Sequence, residues 1–132
     1  MKHLLIISTA SLLLFSFVIK QNELVGIWNI NNQNNSTEIW ELKNDSTFNE
    51  LEPCCPENSY KTLIPVKNGS WTLKKDTLTL TFRSEIIGKK HIKFPRPPVM
   101  KLIIQKENSH FILYPLNNRL KKQIILKMEL RK

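Results

Sequence analysis

The chain has 132 residues, of which 41% are hydrophobic and 23% charged, and its formal net charge is +9. That length accommodates one small domain and excludes a second core. With two cysteines and three glycines the chain is neither a disulfide scaffold nor rich in phosphate-cradling loops, so apolar burial has to hold the fold.

Met1-Lys2-His3 makes a short positive start, and Leu4 to Ile19 is a 16-residue run interrupted only by Ser8, Thr9, Ser11 and Ser16. The run matches the apolar region of a secretory signal peptide and falls short of the about 20 residues of a spanning helix. We therefore divide the chain into a signal peptide, 1–20, and a mature domain, 21–132. The small-x-small triplet of a cleavage site is missing, which keeps an uncleaved anchor as the alternative; only then does the chain contact a membrane. Export, to the periplasm or beyond the cell, makes nucleic acid an unexpected partner. The charge stays strongly positive after loss of Lys2 and Lys20 and suits an anionic envelope component better.

Leu24, Gly26, Trp28 and Ile30 alternate with Val25, Ile27 and Asn29, the period of a first strand. A polar loop from Asn31 to Ser36 leads to Thr37–Lys43, with Trp40 and Leu42 on one face. Asn44-Asp45 turns the chain into Ser46–Glu52, which carries Phe48 and a bulge or strand end near Asn49. Pro53 to Asn58 is a loop, since two prolines remove ladder donors. Tyr60–Lys67 is a strand with Pro65 near an edge, Asn68-Gly69 reads as a hairpin turn, and Ser70–Lys74 returns with Trp71 and Leu73. After Lys75-Asp76, residues Thr77–Arg83 alternate most regularly, with Leu78, Leu80 and Phe82 inward. Ser84–Pro98 loosens into a weak strand or long loop. Val99–Gln105 (Met100, Leu102 and Ile104 on one side), His110–Leu116 and a last strand around Ile124–Leu130 complete the count, with polar turns at Glu107–Ser109 and Asn117–Lys121.

Eight or nine short strands without helical periodicity outside the leader predict an all-β domain, an antiparallel meander closed into a barrel or folded as a sandwich. Closure removes unpaired edges, and the last strand is the natural partner of the first.

Residues that could carry chemistry are few. Cys54-Cys55 stands between prolines and could form a strained vicinal disulfide, pair with another chain, hold a soft metal, or have no role. No third ligand lies at recognisable spacing, so no metal site is expected. His91 and His110 sit on different elements. Glu50 and Glu52 share a strand face, a pattern that is usually a solvated surface. No G-x-S-x-G, H-E-x-x-H or C-x-x-C occurs, and we expect neither an enzyme nor a cofactor. Lys89, Lys90, Lys93 and Arg96, with Phe94 and three prolines, form a basic rim suited to an anionic headgroup or an acidic partner. The plainer reading is a hairpin tip whose lysines suppress edge pairing.

Leu24-Val25-Gly26-Ile27-Trp28 resembles the Gly-x-Trp signature of the first lipocalin strand, and its place behind a leader fits. Asn44-Asp45-Ser46-Thr47-Phe48, Asn68-Gly69-Ser70-Trp71-Thr72-Leu73 and Thr77-Leu78-Thr79-Leu80 are similar to segments of small bacterial lipocalin-like domains. The resemblance covers residues 23 to 132 and implies a small up-and-down β-barrel of about eight strands. It assigns structural roles to Gly26, Trp28 and Trp71, and implies a basic residue over Trp28, for which Arg131 and Lys127 are candidates. It further implies a non-catalytic binding protein for a small hydrophobic or amphipathic ligand, with Trp40, Leu42, Leu78, Leu80, Phe82, Leu102 and Ile104 as barrel lining and charged residues at the mouth. The alternative is a filled barrel or sandwich that binds an anionic envelope macromolecule or protein through its basic surface. With Trp28 as a plug, the site is expected at the other end.

Overall fold

Alternating apolar side chains separated by polar turns build one sheet in the computed structural model, which describes residues 18–32, 37–54, 62–116 and 126–131. A single turn of 3-10 helix, η1 (Gln21–Leu24), precedes β1 (Gly26–Asn31), β2 (Thr37–Leu42), β3 (Thr47–Pro53), β4 (Leu63–Lys74), β5 (Thr77–Ile87), β6 (Lys90–Lys93), β7 (Val99–Glu107), β8 (His110–Pro115) and β9 (Leu126–Leu130). Every recorded pairing is antiparallel. β1 to β5 pair in order, β5 pairs β7, and β7, β8 and β9 return to β1. This closes a barrel of eight strands, with β6 outside the ring against the far half of β5.

With so few glycines, the turns use polar residues at positive φ: Ser46 (68°), Lys75 (58°) and Asn108 (29°). At the first of these, Asp45 Oδ1 accepts hydrogen bonds from Thr47 N at 3.0 Å and from Thr47 Oγ1. The same two bonds hold the Asp45 carboxyl below its ordinary pKa.

Trp28, Ile30, Trp40, Leu42, Phe48, Trp71, Leu78, Leu80, Leu102, Ile104, Phe111, Leu113 and Met128 form the core inside the ring. η1 covers one end: Leu24 and Ile19 belong to that core, and Trp28 Nε1 donates to Leu24 O at 2.9 Å. Gly26 lies at φ 152°, and a Cβ there would stand 3.1 Å from Leu130 Cδ1, so the first strand starts in contact with the last. Trp71 is fully buried and donates to the turn carbonyl of Lys43 at 3.0 Å. Trp28 is thus part of the closed end.

Several sequence expectations need correction. Leu24 is in η1, ahead of the first strand. Asn68-Gly69 is no turn but the middle of the 12-residue β4. Glycine is needed there because a Cβ would fall 1.8 Å from Thr81 O, where β5 bulges toward it. The irregularity placed near Asn49 lies in the β3–β4 register, between Glu50 and Leu51. Among the described residues no basic side chain lies over Trp28: Arg131 Nη1 donates to Asn29 Oδ1 at 3.2 Å, and Lys127 pairs with Glu129 at 2.6 Å. Trp28 instead meets Phe111 edge-on, centroids 5.5 Å apart. Most of the leader, the Asn117–Lys121 turn and Cys55 lie outside the described residues.

Candidate functional site

Cross-strand register defines the end opposite η1. Trp28 pairs with Trp40, Trp40 with Glu50, Glu50 with Lys67, Lys67 with Glu85, and Glu85 with Ile92. Directly paired residues share a sheet face, so this row runs along the inward side and turns polar where it leaves the core. Trp40, Phe48 and Phe82 form its apolar floor, each meeting the next edge-on at 5.9 and 5.4 Å. Above them Lys67 Nζ lies 3.4 Å from Glu50 Oε2 and 6.0 Å from the Phe82 centroid. Trp40 Nε1 donates to Glu38 Oε2 at 3.0 Å. The strands run past the ring here: Ile64 pairs with Glu52, Ile87 with Lys90 and Ile92 with Glu85. All three isoleucines are exposed, at 41%, 55% and 48%. Trp40 and Phe48 are closed beneath this row, so Phe82, the half-buried ion pair and the apolar lip are the groups that face outward at this end.

Burial is the main cause that raises the Glu50 pKa; Glu38 and Glu52 add to it and Lys67 opposes it. The folded state thus holds this proton more tightly than the unfolded chain. The associated stability is fully present below the ordinary carboxylate pKa and is lost as pH rises through the raised value. Glu50→Gln keeps the shape without the charge. We expect its thermal midpoint to match wild type below about pH 4 and to exceed it increasingly toward neutrality. Thermal scans across that interval check the sign; a variant that falls below wild type as pH rises would mean that the Lys67 pair outweighs burial.

Of the expected lining residues, Trp40, Leu42, Leu78, Leu80, Leu102 and Ile104 are at most 2% exposed, and Phe82 is partly buried beside them. All seven face inward together, with Phe82 and Trp40 next to the polar row. Glu38, Glu50 and Lys67 were not among the candidate binding residues, although Glu38-x-Trp40-x-Leu42 and Phe48-x-Glu50 place carboxylates in phase with core residues. That phase was the available signal.

The basic rim is split. Lys89 and Lys90 are exposed at the β5–β6 hairpin and Arg96 is exposed beyond it, whereas Lys93 lines an outer groove with Arg83. Cys54 is disulfide-bonded. A second groove, of about 280 Å³, lies at the η1 end against Glu23, Lys106 and His110. Among the described residues no group of three or more His, Cys, Asp or Glu is placed to hold a metal ion. No protein-family model, curated protein or solved structure matches this chain significantly.

Proposed function

We propose that the chain is an exported, lipocalin-like binding protein without catalytic activity, which takes a small amphipathic molecule at the barrel end opposite η1. The observation that carries this reading is the half-buried Glu50–Lys67 pair set over the Trp40–Phe48–Phe82 floor. Glu38, Glu50, Glu52 and Glu85 outnumber Lys67 and Lys90 on the inward side, so a cationic head group with an apolar tail is favoured over an anionic one. Export rests on the leader. Because Ile19 packs in the core, a processing point N-terminal of Ile19 preserves the fold better than one at Lys20, and N-terminal sequencing of the exported protein distinguishes the two.

Titration with dodecylamine, dodecanol and dodecanoate, followed by tryptophan emission and backbone amide shifts, tests the ligand class. Dodecylamine is expected to bind best and to move Trp40 and its neighbours. Phe82→Ala should weaken it roughly tenfold, the loss of one buried ring from an apolar contact. Absence of saturable binding by all three amphiphiles would remove the proposal.

A further inference from the structure

On the outer face, an open groove of about 610 Å³ runs between the β4–β5 surface and the segment joining β6 to β7. Its residues lie apart from the inward mouth, so the following inference stands independently of the amphiphile site. Asn68 pairs with Ser84 and Ser84 with Lys93, a row of three outward side chains across β4, β5 and β6. Two interruptions meet at Arg83. In the β4–β5 ladder Asn68 pairs with Ser84 and Gly69 with Phe82, leaving Arg83 as the extra residue. On the other side, Phe94 N donates to Arg83 O and Phe82 N donates to Pro98 O, both at 2.9 Å. Five residues, Phe94 to Pro98, therefore span one step of β5. Three of them are prolines, which have no N–H to rejoin the ladder. Bulges re-aim side chains, and this one places Arg83 at the groove with Lys93.

The chemistry of the groove is one-sided. Among the described residues neither Arg83 nor Lys93 forms an ion pair, and no carboxylate lines the groove. Ser84, 7% exposed, donates from Oγ to Asn68 Oδ1 at 2.5 Å, which occupies the amide oxygen and leaves the Asn68 N–H donors for a ligand. Thr81 adds a hydroxyl, while Phe94 and Pro97 supply apolar wall. A guanidinium, an ammonium, an amide and a hydroxyl call for a multiply charged ligand with several acceptor oxygens. We propose that this groove binds a phosphomonoester, its phosphate held by Arg83, Lys93 and Asn68 and its organic part against Phe94.

Amide shifts of the full domain, recorded on addition of inorganic phosphate, phenyl phosphate, or phosphatidylcholine vesicles containing phosphatidic acid, test the site. Phenyl phosphate is expected to move Arg83, Ser84, Lys93 and Phe94 saturably, and to bind roughly threefold or more tighter than inorganic phosphate through the ring contact. Affinity should fall as salt rises. Arg83→Gln and Lys93→Gln should each weaken binding roughly tenfold, and the double variant should abolish it, whereas Lys89→Gln with Lys90→Gln should change it little. Saturable binding lost in the double variant supports the site; response to phenyl phosphate assigns it to a soluble ester, and response to vesicles alone assigns it to a lipid headgroup. No saturable shift with any probe, or binding unchanged in the double variant, would overturn it.

Discussion

Gly69→Ala is expected to lower stability by about 3 kcal/mol, because the added methyl has no space that a side-chain rotation could open. The atom it meets is backbone: Thr81 O at 1.8 Å, followed by Thr81 C at 2.9 Å and the Phe82 Cα at 3.2 Å. Relief requires β4 and β5 to separate at their bulge, between pairs Asn68–Ser84 and Gly69–Phe82. A loss of this size lowers the thermal midpoint of a domain of about 110 residues by roughly 10 to 20 °C. Gly88→Ala is the control. Gly88 has φ 62° and nothing within 4 Å of its would-be Cβ, so the change costs about 1 kcal/mol of backbone strain alone. Circular dichroism melts compare the two, and near-equal midpoints would refute the steric account of Gly69.

Trp71→Ala is expected to cost about 3 to 5 kcal/mol, the range for emptying a buried aromatic site. Two effects combine. The indole is fully buried in the core, and its Nε1 is the donor that reaches the Lys43 carbonyl 3.0 Å away. The Trp71 amide also donates to Ser46 O at 2.9 Å, so this residue ties β4 to the β2–β3 turn through both side chain and backbone. Trp71→Phe retains the backbone bond and much of the ring, and should cost about 1 to 2 kcal/mol. Urea titrations separate the cases. If the phenylalanine variant is as unstable as the alanine variant, the indole hydrogen bond, not the volume, dominates; if both are near wild type, Trp71 is not the anchor its burial implies.

The closed end of the barrel was largely legible from local sequence. Trp28 and Trp71 stand at inward phase, and the turns at Asn44–Ser46, Lys75-Asp76 and Glu107–Ser109 are polar breaks between apolar alternations. The candidate mouth was legible only in part. Trp40 and Phe82 were in phase with the core, whereas Glu50 in phase looked like one face of a solvated strand, because strand period does not say which neighbour arrives beside it. Lys67 arrives there through the β3–β4 register, which shifts at Glu50/Leu51. Asn68-Gly69 is ambiguous for a related reason. The pair carries hairpin chemistry, but the same glycine serves a close strand approach, and only the partner strand distinguishes the two uses.

Composition and alternation by themselves determined that the domain is all-β and which apolar positions face inward. These follow from a two-residue period and from polar turns, both local properties of the chain. Tertiary structure alone decided that Glu50 meets Lys67, and that Arg83, Lys93 and Asn68 share one outer groove. Those meetings depend on register between strands far apart in sequence, where a slip of one residue turns every side chain to the opposite face.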